Sequence, residues 1–146
     1  MFRKILVPVD FTEKNEAAVR VALEMAALPG QSEGAAEAEV VLLHVIETID
    51  HLEPAEVEGF YRNLEARSTA KMFALEERFK EAGVRARHEI LVGKRAETVV
   101  RYAEEHETDL ILLSSHKVDR QHPALGIGSL SYRIAIVVNC PVLLVK

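Results

Sequence analysis

Residues 4–12 read Lys-Ile-Leu-Val-Pro-Val-Asp-Phe-Thr, an apolar run that ends at an acid and a hydroxyl. Continuous apolar runs of this length are typical of strands that are covered on both faces of a parallel sheet. Similar runs recur at residues 40–46, 111–113 and 142–145, and a weaker run at residues 88–92 suits a strand nearer an edge. The sequence therefore predicts five strands.

Apolar residues at spacings of three and four predict a helix between each pair of runs. The first helix follows Thr12 as N-cap and stops at Pro29-Gly30, and the second runs from Pro54 to Ala82 with Gly83 as its C-cap. The fourth spans Ser129–Asn139. The predicted core stripes are Ala18, Val21, Ala22, Met25 and Leu28; Val57, Phe60, Leu64, Ser68, Met72, Leu75, Phe79 and Ala82; Ala96, Val99, Val100 and Ala103; and Leu130, Ile134, Val137 and Val138.

This strand–helix alternation predicts an α/β fold, with one domain over residues 1–146 and a parallel sheet with right-handed crossovers. In the last helix, Tyr132 and Ile136 share a second apolar face. That face is either a contact surface or covered by the loop that carries Pro123 and Leu125.

Composition narrows the class of protein. With 49% apolar and 28% charged residues, the 146-residue chain is neither disordered nor fibrous. Its net charge of −5 argues against a duplex nucleic-acid partner. No apolar run approaches a membrane span, and we expect no membrane partner. The single cysteine, Cys140, excludes an internal disulfide, and no Cys/His spacing suits a metal. The amino terminus lacks a signal-peptide layout, so we expect a cytoplasmic protein.

Two places in the chain carry chemistry that a ligand crevice requires. Asp10 ends the first strand, where a carboxylate can reach into the crevice of an open sheet, although with Thr12 it can equally serve only as a helix cap. Residues 126–131 read Gly-Ile-Gly-Ser-Leu-Ser, which predicts an anion site at a helix N-terminus or an ordinary Ser129 N-cap after a loop.

Other polar residues have weaker patterns. The loop 115–123 holds two His, one Lys and one Arg, which suits a phosphate or an acidic partner, or a solvated loop. His44 interrupts the second apolar run, and we expect it in the core or at the crevice edge with one hydrogen bond.

Together these motifs resemble the universal stress protein family over essentially the whole chain. The opening residues 4–12, the second strand Val-Leu-Leu-His-Val-Ile at 41–46 and the ending Cys-Pro-Val-Leu-Leu-Val at 140–145 carry the resemblance. Residues 92–96 resemble the turn into the third helix, with Arg95 where a proline is common, and residues 110–116 resemble the fourth strand and the start of the ligand loop.

The resemblance implies an open five-stranded parallel sheet of order 3-2-1-4-5, with helices on both faces, of the Rossmann-like, adenine nucleotide alpha hydrolase-like type. It places the adenosine of a bound nucleotide around Pro8, Asp10 and Val45. The phosphates would lie at Gly128, Ser129 and Ser131.

The ligand loop departs from the family pattern of Gly, two residues, Gly, nine residues, Gly, then Ser or Thr. Ser114 and Lys117 stand where the first two glycines belong, and the spacer 118–127 has ten residues. The spacer has eight residues if Gly126, rather than Gly128, is taken as the third glycine of the pattern. Glycines there allow positive φ and close approach to phosphate. We therefore expect weak ATP binding or none, with the Lys117 charge a partial compensation.

Three functions compete at this point. The leading one is a dimeric stress-response binding module with a degenerate nucleotide loop, no firm cofactor and a possible protein partner. The alternative is a universal stress protein that binds Mg-ATP as a nucleotide-dependent switch. The third, an enzyme that activates its substrate with ATP, lacks the Ser-Gly-Gly or His-x-Gly-His signature, so we expect no catalysis beyond slow ATP hydrolysis. We also predict a homodimer through the last strand, at residues 141–145.

Overall fold

The computed structural model describes residues 2–28, 38–50, 52, 54–117, 120–122, 124 and 128–146. The strands are β1 (Lys4–Pro8), β2 (Glu39–Glu47), β3 (Arg85–Gly93), β4 (Leu110–Ser114) and β5 (Val142–Val145). The helices that these ranges contain are α1 (Glu13–Ala26), α2 (Pro54–Glu81), α3 (Arg95–Glu105) and α4 (Leu130–Val137).

The strands form one parallel sheet in the order β3-β2-β1-β4-β5, which confirms the predicted fold. Leu6 in the central strand pairs with Val41 of β2 on one side and with Ile111 of β4 on the other. The chain moves outward from β1 through β2 to β3 on one side and then crosses to β4 and β5 on the other side, so the order of the strands reverses between β1 and β4. Open sheets of this kind bind ligands at the carboxyl ends of the strands beside that reversal.

Alternate side chains of each strand enter two separate cores. Ile5, Val7 and Leu42 pack with α1 and α2 on one face of the sheet, around the fully buried Met72 and Phe79. The core on the other face lies against α3 and α4, and it comprises Leu6, Val41, Leu43, Val45, Val99, Tyr102, Ala103, Ile111, Leu113 and Ile134. Cover on both faces explains why β1, β2 and β4 are continuously apolar.

Strand β3 lies at an edge of the sheet, as its weak apolar pattern predicted, but it is longer than residues 88–92. The added residues at its start include two charged ones, Arg85 and Arg87, which form ion pairs with Glu39 of β2. Arg87 donates to the Tyr102 hydroxyl at 3.0 Å and lies 3.2 Å from Glu39. Apolar patterning cannot detect a strand segment that is held by ion pairs.

Several predicted core positions are wrong. Val137 is 57% exposed because α4 ends there, and Val138 turns into extended backbone and packs on the core in its place. Leu28 follows the end of α1 and is exposed, and Phe60 is exposed in the first half of α2, where the helix buries no described residue before Ser68. Ala82 is also exposed, one residue beyond α2.

The predicted caps are mostly right. Gly83 follows α2 with φ of 75°, as expected for a left-handed C-cap glycine. The predicted stop at Pro29-Gly30 lies outside the described residues. None of the helices in the described ranges combines the length and the apolar character that a bilayer span needs.

Candidate functional site: a cleft at the strand reversal

A cleft of about 530 Å³ opens at the carboxyl ends of β1, β2 and β4. Its walls come from the β1–α1 turn, the first residue of α3, the segment after β4 and the start of α4. The lining residues are Pro8, Val9, Asp10, Thr12, Glu13, Lys14, Leu43, Val45, Arg95, Val99, Leu113, Ser114, Ser115, His116, Ser129, Leu130 and Ser131. The volume falls in the range of about 300–1,000 Å³ that is usual for small-molecule sites.

The β1–α1 turn fixes the Asp10 carboxylate in this cleft. Thr12 donates twice to Asp10 Oδ1, from its backbone N–H at 3.0 Å and from its hydroxyl at 2.7 Å. Thr12 is at the N-cap position as predicted, but its hydroxyl caps nothing in α1 because it is committed to Asp10. Asn15 donates to the Pro8 carbonyl at 3.0 Å and ties the helix to the end of the strand.

Phe11 bends the chain between Asp10 and α1. Its φ of 62° is left-handed, which is uncommon for a bulky residue and requires compensating contacts. The Phe11 ring lies 4.5 Å from the His44 ring, and Lys71 Nζ lies 5.0 Å from its centroid. These contacts anchor the ring on one face of the sheet, while Asp10 reaches the cleft on the other.

His44 makes the single hydrogen bond that the sequence predicted. Its Nδ1 donates to the Val9 carbonyl at 2.6 Å. Burial lowers the pKa of His44, and the charges of Arg95 and Lys71 lower it further, against the raising effects of the Val9 carbonyl and Asp10. The ring is absent from the cleft lining, since Leu43 and Val45 beside it point to the cleft and it points to the opposite face.

A cluster of three serine hydroxyls lies at the start of α4. Ser129 is the N-cap and accepts from the Tyr132 N–H at 3.3 Å, as predicted. Ser131 donates to Ser115 Oγ at 3.3 Å, and the Ser129 and Ser131 hydroxyls are 3.4 Å apart. Hydroxyl groups and unpaired backbone N–H groups at a helix N-terminus together suit an anion.

Two cationic side chains also line the cleft. Lys14, in the first turn of α1, donates from Nζ to His116 Nδ1 at 2.6 Å. Arg95, the first residue of α3, lies 3.4 Å from Glu47. Sequence reasoning did not assign Lys14 to the site, because its distance from the ligand loop along the chain hides their proximity. The available signal was the positive charge of Lys14, because a cation is unfavourable in the first turn of a helix.

The structure brings six of the eight predicted binding residues into the cleft lining: Pro8, Asp10, Val45, Ser114, Ser129 and Ser131. Lys117 and Gly128 are described but do not line it. The stretches 118–119 and 125–127 of the predicted loop lie outside the described residues. The ligand roles of all eight residues stay predictions.

The substituted glycine positions carry no left-handed backbone. Ser114 ends β4 in extended pairing with Val145, and neither Ser114 nor Lys117 has positive φ. Their side chains can hinder a ligand only by occupying space. No group of three or more His, Cys, Asp or Glu in the described part of the chain is arranged to hold a metal ion.

Known proteins share both the sequence pattern and the fold. Universal stress protein MJ0577 of Methanocaldococcus jannaschii is 28% identical over an alignment that covers 100% of this chain and 96% of the relative. Its solved structure has 27% identity and a TM-score of 0.76, covering 100% of this chain and 96% of that one.

Two further structures share the fold. The universal stress protein UspA from Lactobacillus plantarum has a TM-score of 0.76 at 24% identity, covering 99% of this chain and 98% of its own. The universal stress protein from Archaeoglobus fulgidus, solved in complex with dAMP, has a TM-score of 0.66 at 20% identity, with the same coverage of 99% and 98%.

A family model also matches the chain. The model of the universal stress protein family matches residues 1–146, the full length of the sequence. The sheet order and the cleft at the reversal agree with the fold that the sequence resemblance implied. This chain belongs to the universal stress protein family.

Proposed function

We propose that this protein is a stress-response module that binds an adenine nucleotide in the cleft and acts by binding rather than by catalysis. The observation that carries the proposal is the convergence of a fixed carboxylate, Asp10, and a hydroxyl cluster, Ser115, Ser129 and Ser131, on one cleft with apolar walls. Few, well-placed polar groups in an apolar pocket are what orient a small ligand.

The adenosine half of the ligand would lie against Pro8 and Val45, beside Asp10. Val45 is buried in the sheet and offers a flat apolar contact to a base. The Asp10 carboxylate can accept a hydrogen bond from a hydroxyl or an amino group of a nucleoside, in addition to the two from Thr12. Because those two bonds hold the carboxylate in place, it needs little ordering when the ligand binds.

The phosphate half is expected to hold one phosphate well and further phosphates poorly. Ser129 and Ser131 lie at the α4 N-terminus, where a phosphate is favoured. Glycines in the loop would let the backbone approach additional phosphates, but this chain has Ser114 and Lys117 at those two positions. The universal stress protein from A. fulgidus that was solved in complex with dAMP supports this expectation, because dAMP carries a single phosphate.

Calorimetric titration of the wild type with adenosine, AMP and Mg-ATP tests the proposal. We expect AMP to bind more tightly than adenosine, and Mg-ATP to bind no more tightly than AMP. Binding of Mg-ATP at least tenfold tighter than AMP would favour the nucleotide-dependent switch. Absence of binding by all three would overturn nucleotide binding itself.

A pair of matched variants locates the site. Asp10→Asn keeps the size of the side chain and an acceptor for Thr12, but it replaces the oxygen that faces the ligand with an NH2 group, which cannot accept a hydrogen bond. Affinity for adenosine and AMP should therefore fall by about tenfold. Asp50→Asn removes the same charge at an exposed turn outside the cleft and should change neither affinity. Equal affinities for the wild type and Asp10→Asn would contradict the placement of the nucleoside.

We also propose that the protein forms a homodimer through β5. The Pro141 and Val145 carbonyls accept from β4, so the alternate residues Val142 and Leu144 direct their backbone groups away from the sheet. Leu143 is 37% exposed and Leu144 is 36% exposed at this edge. An unpaired edge with apolar side chains favours pairing with a second copy.

A further inference from the structure

Lys14 is placed where a positive charge is unfavourable unless an anion joins it. It lies in the first turn of α1, at the positive end of the helix dipole, between Glu13 and Glu16, the acidic residues that such a position favours. Its ammonium lines the cleft. The chain therefore directs a cation into the cleft at a position where helix electrostatics oppose it.

The ammonium has a neutral partner instead of a carboxylate. Lysine can only donate, so at 2.6 Å His116 Nδ1 must accept, and the ring is neutral with its proton on Nε2. No carboxylate of the described residues forms an ion pair with Lys14. Glu16 pairs with Arg78 instead. Lys14 is thus oriented by His116 and has no ion-pair partner among the described residues.

The position of this charge matches the rest of the anion site. His116 follows Ser115 directly, and the Ser115 hydroxyl accepts from Ser131 at 3.3 Å. The other cleft-lining cation of the described residues, Arg95, is paired with Glu47. Lys117, which the sequence offered as the compensating charge, does not line the cleft.

We propose that Lys14 binds the phosphate group of the nucleotide and that His116 positions its ammonium for this contact. The proposal rests on the proposed function and names the residue that distinguishes a nucleotide from a nucleoside. An ammonium–phosphate contact is charge-assisted and needs no glycine at the loop. It would replace part of the binding that the substituted glycine loop has lost.

Calorimetry with Lys14→Met tests the phosphate contact. This change keeps the length and the apolar stem of the side chain and removes its charge. We expect AMP affinity to fall by about tenfold, towards that of adenosine, while adenosine affinity stays unchanged. Added salt should weaken AMP binding by the wild type more than by the variant, because salt screens the contact between the Lys14 ammonium and the phosphate, which only the wild type can form.

Two control variants separate local from general charge effects. Arg20→Met removes one positive charge from the exposed surface of α1, outside the cleft, and should leave AMP affinity as it is. Lys117→Met should change AMP affinity less than Lys14→Met does. The phosphate role of Lys14 is overturned if Lys14→Met weakens adenosine and AMP equally, if it weakens neither, or if Lys117→Met has the larger effect.

The positioning role of His116 is tested by His116→Asn and His116→Leu. Asparagine retains an acceptor near the place of Nδ1, so AMP affinity should stay within about threefold of the wild type, whereas leucine removes the acceptor and should reduce AMP affinity alone. Equal loss in both variants would refute the positioning role. Inorganic phosphate serves as a separate ligand. If the wild type binds phosphate but neither adenosine nor AMP, and Lys14→Met abolishes phosphate binding, nucleotide binding fails while a Lys14-dependent anion site stands.

Discussion

His44, in strand β2, contacts the turn that carries Asp10. Its ring contacts Phe11, and its Nδ1–H bonds the Val9 carbonyl, so one side chain supports both the left-handed residue and the strand end before it. Burial lowers the pKa of His44 in the folded chain. The neutral ring is therefore the form that the fold stabilises.

Folding stability should consequently depend on the protonation of His44. Because the folded pKa lies below the unfolded value of about 6.5, the unfolded chain binds more protons, and stability falls as pH drops below about 6.5. His44→Asn keeps a donor for Val9 but cannot titrate. Urea unfolding at pH 7.5 and pH 5.5 should show a smaller loss of stability in the variant than in the wild type. A loss that is equal in both proteins would show that His44 is not the group responsible.

Helix α4 joins the cleft to the core through very few side chains. Ser131 and Ile134 are its buried residues, and Ile134 has no exposed surface. Ile136, two residues further, is 64% exposed. The hydroxyls at the start of the helix are thus positioned by Ile134 in the core and by Leu130, which packs against the same core.

Two matched alanine variants on α4 measure this difference. Ile134→Ala leaves a cavity in the core and should lower the free energy of unfolding by about 2–4 kcal/mol, whereas Ile136→Ala should change it by less than about 0.5 kcal/mol. Urea denaturation of the two variants gives both values. A similar cost for Ile136→Ala would mean that Ile136 is covered in solution.

Sequence patterning predicted the strands that are buried on both faces and the helices that bury one apolar stripe. It failed where polar contacts decide the structure and at the ends of helices and strands. The continuous apolar runs that define β1, β2 and β4 are explicit in the sequence, whereas the ends of β3 depend on the ion pairs of Arg87. Val137, which was predicted in the core, is exposed because α4 ends there. Asp10 is recognisable because it follows a strand, but Lys14 meets His116 only through the sheet order.

The contact face predicted at Tyr132 and Ile136 stays a prediction. Tyr132 is 39% exposed, and Ile136 is more so. The alternative, that Pro123 and Leu125 cover them, concerns positions outside the described residues. The Ile136→Ala measurement above also bears on this alternative, because a covered isoleucine would contribute to stability.

At the scale of the whole molecule, the sheet has a polar edge and an apolar one. Edge strand β3 carries Arg85, Arg87 and Glu89, and charged side chains at an edge discourage pairing with another sheet. Edge strand β5 carries only Val and Leu. The difference between the two edges favours association through β5 alone.

The proposed dimer can be tested without disturbing the sheet. Leu144→Pro removes an N–H that points away from β4, so it should leave the β4–β5 pairing intact while blocking a second copy. Sedimentation velocity at micromolar concentration should show twice the mass of one chain for the wild type and one chain for the variant. A wild type that sediments as one chain would refute the dimer.

The central claim, that the cleft at the strand reversal binds an adenine nucleotide, is tested most directly by titrating AMP into ¹⁵N-labelled protein and following the backbone amide resonances. We expect shifts concentrated at residues 10–14, 114–116 and 129–131, which surround the cleft. An absence of shifts at saturating AMP, or shifts confined to the opposite end of the sheet around Tyr102 and His106, would contradict it.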